Sequence, residues 1–132
     1  MYMKIINVVA AVIEKDNKIL IAQRNKGEFE GLWEFPGGKI ESGETKEAAL
    51  IREIREEFDI NVEVNNHLVT IDHDYSSFHL NMSCYLCHIN DNDIKLHDHY
   101  AIKWIDSLDG DIDWVPADIK VVNAYNKYKG KL

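Results

Sequence analysis

Apolar and polar positions change their spacing along the chain, and each change marks an element. Residues 4–14, KIINVVAAVIE, are almost continuously apolar and β-branched, which predicts a strand buried on both faces. Lys15-Asp16-Asn17-Lys18 is a turn, and residues 19–24 return as the second strand of a hairpin. After the polar loop 25–31, Leu32 to Phe35 reads as a short aromatic strand that Pro36, Gly37 and Gly38 end. From Thr45, an N-cap residue, the period becomes helical. Leu50, Ile51, Ile54 and Phe58 share one arc with Glu47 and should face the core. Residues 61–74 are extended, with a bend at Asn65-Asn66. Tyr75-Ser76-Ser77 turns the chain, and residues 78–90 pair back as a strand. A loop at 91–93 follows, and then residues 96–105 form a loop feeding a short strand. Pro116 opens a last helix, from about Ala117 to Lys129, with Ile119, Val122, Tyr125 and Tyr128 at core spacing. Lys127, Lys129 and Lys131 sit where its dipole favours cations.

Composition narrows the class. The chain has 132 residues, enough for one domain (1–132) with its own core, and no apolar run of membrane-spanning length. Its start lacks a signal-peptide pattern, so a cytoplasmic location is expected. A net charge of −8 argues against binding a nucleic-acid polymer, which needs a basic surface. It leaves room for a small polyanion, because a bound cation reverses the local sign. Cys84 and Cys87 make a C-x-x-C, but residues i and i+3 of a strand face opposite ways, so a packed thiol pair is expected.

The chemistry concentrates in residues 38–60, GKIESGETKEAALIREIREEFDI. Glu53, Glu56 and Glu57 share one helical face, where like charges repel unless something positive covers them. A divalent cation held by oxygen ligands is the economical partner; a solvated acidic face is the alternative. Ala49 falls among the glutamates and would leave room for an ion. Glu44 and Arg52 are spaced to pair across the loop and the helix. Arg24 is either a surface arginine or a donor fork for a phosphate or base. In His97-Asp98-His99, consecutive residues of extended chain cannot all point one way. Asp98 is expected to reach the site, with the histidines flanking it.

Gly38, Glu44, Arg52, Glu53, Ile54, Glu56, Glu57 and Ile60 match eight of the nine fixed positions of the 23-residue Nudix box, and the stretch resembles that of the Nudix hydrolases. The exception is Asp59, where the pattern has glycine in the left-handed region; Asp tolerates that region. The Trp33 to Lys39 segment, Asp98 ahead of Trp104, and Pro116-Ala117-Asp118 look like the MutT branch. Within it the similarity is to bacterial CTP pyrophosphohydrolases, also described as pyrimidine (deoxy)nucleoside triphosphate pyrophosphohydrolases. The resemblance implies an α+β Nudix fold, an α/β/α sandwich around a mixed sheet. It implies hydrolysis of a nucleoside triphosphate to the monophosphate and pyrophosphate with Mg²⁺, or Mn²⁺ in its place. Gly37, Glu53, Glu56, Glu57 and Asp98 would form the metal shell, with Glu53 or Asp98 the general base. Arg24, Glu34, Phe35, Lys39 and Asp118 would bind substrate, and Gly38, Glu44 and Arg52 would support the box. Phe35 and Trp33 are either core aromatics or rings that stack on the base. An ionised Asp118, which only accepts hydrogen bonds, points to the amino group of cytosine, so (d)CTP is the expected substrate. The alternatives are 8-oxo-dGTP, another nucleoside diphosphate derivative, or binding without hydrolysis. Monomer and homodimer both remain open.

Overall fold

The structure is a computed structural model and describes residues 3–90 and 93–130. The loop expected at 91–93 therefore lies mostly outside the described residues, as does Lys131. Nine elements follow in chain order: β1 Lys4–Lys15, β2 Lys18–Arg24, β3 Trp33–Glu34, β4 Gly37–Lys39, α1 Lys46–Phe58, β5 Glu63–Asp74, β6 Phe78–His88, β7 His99–Ile105 and α2 Pro116–Gly130. No described helix is long and apolar enough to cross a membrane.

The strands form one mixed sheet around β1, in the order β3-β2-β1-β6-β5, with β4 added to β1 and β7 to β2. The β1–β6 pair is parallel over the length of β1, from Lys4↔Phe78 to Glu14↔His88, and the other pairs are antiparallel. Asp16 and Asn17 both have positive φ (52° and 63°), the geometry of a tight hairpin turn. The bend expected at Asn65-Asn66 is a pair of register shifts in β5.

Alternation along β1 explains why both its faces are apolar. Val9, Ala11 and Ile13 pack with Leu50, Ile54 and Phe58 of α1. Ala10 and Val12 pack with Ala117, Val121, Val122 and Tyr125 of α2 on the opposite side. The two helices thus cover the two faces of the sheet, the α/β/α layering implied by the sequence resemblance. Cys84 and Cys87 are free thiols divided between the two cores. Complete burial of Leu50, Ile54 and Phe58 stabilises the α1 contact by about 1.5–3 kcal/mol each.

Four expectations about packing need correction. Gly37-Gly38 does not end the strand run: with Lys39 it forms β4, because bare backbone can lie against β1. Ile51 is 42% exposed, on the edge of the apolar arc. Ala49 lies in the α1 core, so its small side chain admits the sheet and makes no room for an ion. In α2, Val121 is buried and Ile119 faces solvent.

Candidate active site

A cavity of about 630 Å³ opens between the β1–β4 pair and the start of α2. Close approach of backbone shapes its polar end. A Cβ on Gly37 would lie 2.0 Å from the carbonyl oxygen of Val9, and one on Gly38 would lie 2.3 Å from the carboxyl carbon of Glu53. Any side chain at Gly38 would therefore displace Glu53.

Helix α1 begins at Thr45, whose side chain caps the amide of Ala48. Asp59 ends it in the left-handed region (φ 55°, ψ 33°), as its place in the box requires, and its amide closes on the Arg55 carbonyl. Arg52 ties the preceding loop to this helix. Its Nε and Nη2 donate to the two oxygens of Glu44 at 2.7 and 2.9 Å, and Nη2 also donates to the carbonyl of Lys39 at 3.0 Å. Its Nη1 donates to Glu53 at 3.0 Å and to Glu56 at 3.3 Å. The Arg52 guanidinium holds the Glu44 carboxyl below its ordinary range. Burial pushes Glu53 up, against the opposing charge of Arg52.

Of the sequence-predicted residues, Arg24, Glu34, Phe35, Gly37, Gly38, Lys39, Glu53, Glu57, Asp98 and Asp118 all line the cavity. Glu56 does not; its side chain is 59% exposed beside Arg52. Asp98 lies at the mouth, 56% exposed and 3.8 Å from Lys26. His99, expected only to flank it, is the deeper residue. Its imidazole lies 2.9 Å from Glu34 and 3.2 Å from Glu57. Burial opposes a charge on His99, but Glu34 and Glu57 outweigh burial and raise its pKa to about 9.

The apolar end departs further from expectation. Phe35 is buried and stacked on Trp114 at 5.0 Å, and Trp33 lies under the ammonium of Lys103, so each ring already has a partner. Besides Phe35, the aromatic rings lining the cavity are Phe29, Tyr75 and Phe78, with Tyr75 5.2 Å from Phe29 and 5.1 Å from Phe78. Tyr75 is held in place by the Ala117 amide, which donates to its hydroxyl at 3.0 Å. Phe29 comes from the loop after β2, whereas Tyr75 and Phe78 flank the β5–β6 turn, so no local pattern could have joined all three. Asp118 is 5% exposed, and one of its oxygens accepts from the Phe35 amide at 3.2 Å. Burial, reinforced by the charge of Glu34, raises its pKa well above the ordinary value and favours the neutral acid. Both effects work against the ionised, acceptor-only carboxylate expected from sequence.

The donor set suits a hard divalent cation. Glu34, Glu41, Glu53, Glu57 and Asp98 bring carboxylate oxygens to one cavity. Glu57 Oε2 is buried with no hydrogen-bond partner, its approach to His99 being off the line of a hydrogen bond. Among the described residues these groups do not yet converge as a closed ligand cluster. The Arg24 Nε and Asn25 Oδ1 atoms, also at the cavity, are buried without partners as well.

Comparison with known proteins agrees with this geometry. A NUDIX domain profile matches residues 8–120. The CTP pyrophosphohydrolase of Escherichia coli K12 is 37% identical over 127 residues, covering 93% of each chain. An 8-oxo-dGTP diphosphatase of Proteus vulgaris is 45% identical over 85 residues, 63% of this chain and 76% of that one. A crystal structure of a MutT NUDIX hydrolase from Burkholderia pseudomallei superposes with a TM-score of 0.83 at 27% identity, covering 92% of this chain and 98% of that one.

Proposed function

The chain belongs to the Nudix hydrolase family, and from that premise we propose that it hydrolyses (d)CTP, or a modified (d)CTP, to the monophosphate and pyrophosphate in this cavity. The observation that carries the reading is the joining of two unlike ends in one cavity. One end holds the carboxylates of α1, the other a buried Asp118 beside aromatic rings. A triphosphate with a base attached has the same two-ended chemistry.

Glu53, Glu57, the Gly37 carbonyl and Asp98, with Glu56 just outside the cavity beside Arg52, would hold Mg²⁺ or Mn²⁺. A bound divalent ion neutralises phosphate charge and acidifies a water. Glu53 is the proposed general base, since burial raises its proton affinity toward neutral pH. Asp98 is the second candidate. Arg24, whose Nη1 donates to Glu34 at 3.0 Å, keeps an unspent buried Nε donor that suits a phosphate oxygen. Lys39 adds positive charge at the cavity.

A neutral Asp118 changes the argument for the base but keeps its direction. Its carbonyl oxygen accepts from the cytosine amino group while its hydroxyl donates to the ring nitrogen beside it. Tyr75, Phe29 and Phe78 offer rings for stacking. A second reading, 8-oxo-dGTP hydrolysis, is favoured by the 8-oxo-dGTP diphosphatase relative, and a neutral acid can also pair with a guanine edge. Steady-state kinetics on CTP, dCTP, 5-methyl-dCTP and 8-oxo-dGTP decide between them. The cytosine nucleotides should have the highest kcat/KM; an advantage of about a hundredfold for 8-oxo-dGTP, some 2.7 kcal/mol in transition-state binding, would reverse the assignment.

A further inference from the structure

The imidazole of His99 stands where it does because of an irregularity in the sheet. Strand β7 pairs with β2 residue for residue from Ile105↔Ile19 to Ala101↔Gln23, and then Arg24 is matched with His99. Tyr100 is the extra residue of a bulge. In a regular strand His99 would share a face with Ala101, which packs on the α2 side. The bulge turns it to the α1 side, where its ring stacks on Phe58 at 5.5 Å and 17°. Tyr100 swings outward, and its hydroxyl donates to Glu30 at 2.8 Å.

Each ring nitrogen then meets a different carboxylate. Nε2 is hydrogen-bonded to Glu34 Oε2 at 2.9 Å, and Nδ1 lies 3.2 Å from Glu57 Oε2, a close contact off the line of a hydrogen bond that leaves both atoms otherwise unpartnered. The second oxygen of Glu34 accepts from Arg24 at 3.0 Å. Arg24, Glu34, His99 and Glu57 form a continuous line from the end of β2 to α1. The His99 side chain is 5% exposed, so no water layer separates the groups.

We propose that His99 is a positioning residue that fixes one oxygen of Glu57, leaving the other for a divalent cation, while holding Glu34 and through it Arg24 toward the nucleotide. The proposal rests on the functional reading above. Without the imidazole, two buried carboxylates lose their common partner and separate by repulsion or turn to solvent. Carboxylates that ligate metals work when a neighbouring donor fixes their orientation.

The two nitrogens can be tested one at a time. His99→Asn places an amide near the position of Nδ1, His99→Gln near that of Nε2, and His99→Phe keeps the stack on Phe58 with neither donor. Mn²⁺ binding to the nucleotide-free protein, followed by electron paramagnetic resonance, is read beside the KM for CTP and the thermal midpoint. His99→Phe and His99→Gln should weaken Mn²⁺ binding by about tenfold or more. His99→Asn should bind Mn²⁺ within about threefold of wild type but show a raised KM. If His99→Phe does not fold, the Asn and Gln variants carry the test through their opposite effects. Wild-type Mn²⁺ affinity in the Gln variant overturns the inference alone. A wild-type protein that binds no Mn²⁺ overturns the functional reading and this inference with it.

Discussion

Asp118 shows how one side chain can change character once the fold closes over it. It occupies the first turn of α2, where a charged carboxylate normally favours the helix dipole. Here burial and the nearby charge of Glu34 outweigh the Phe35 amide and Arg24, and the shift is toward the protonated form. The sign of the pH dependence follows. A carboxyl whose folded pKa exceeds its unfolded value, about 3.9, contributes fully below that value and loses its contribution as pH rises through the folded pKa. Asp118→Asn keeps the acceptor for Phe35 and removes the titration. Its thermal midpoint relative to wild type should therefore climb from about pH 5 upward until the folded pKa is passed. A difference that stays flat over that range would show that Asp118 is ionised throughout. The residue types of the site were legible in the sequence, because Glu53, Glu57 and Gly38 answer to local helical and loop geometry. The protonation state of Asp118 was not, because it depends on burial by residues from distant segments.

At the scale of elements, the box combines a helix, a strand and two ends. Thr45 opens α1, Arg52 fastens the loop before it, and Asp59 closes it. The helix was readable to within a residue because its cap, its period and its last turn are all local signals. Strand β3 was legible as the short aromatic strand at Leu32 to Phe35, but β4 was not, since its three residues gain strand geometry only from their neighbour β1. The bulge in β7 was equally hidden, and with it the exchange of depth between Asp98 and His99. Asp59 carries a second contact that glycine could not supply. Its carboxylate lies 3.0 Å from His97 Nε2, and the Lys95 amide donates to the Phe58 carbonyl, so the loop before β7 is fastened to the end of α1. Asp59→Ala loses the ion pair and retains a side chain in the left-handed region, whereas Asp59→Gly loses only the pair. Chemical denaturation should find the Gly variant more stable than the Ala variant by about 1 kcal/mol. Equal stabilities would mean that the left-handed cap carries no strain.

For the whole molecule, the main consequence of the fold is that one central strand serves two cores and one cavity. Alternate residues of β1 anchor α1 and α2 on opposite faces, while Ile6, Val8, Val9 and Ala10 also form the cavity wall. The carboxylate-bearing helix α1 and the Asp118 turn of α2 are therefore positioned by the same strand. The sandwich itself was implied by the family resemblance that the box carries. The aromatic wall of Phe29, Tyr75 and Phe78 was not, because it forms only when the loop after β2 meets the β5–β6 turn. The proposed reaction makes a definite demand on the products: cleavage must leave one phosphate on the nucleoside. The most direct test is product analysis by anion exchange after incubation of CTP and Mg²⁺ with the wild-type protein and with Glu53→Gln and Glu57→Gln. The account predicts CMP and pyrophosphate in equal amounts from the wild type, and turnover lower by about a hundredfold or more in folded Gln variants. CDP and inorganic phosphate as products, or near-normal turnover in both variants, would contradict it.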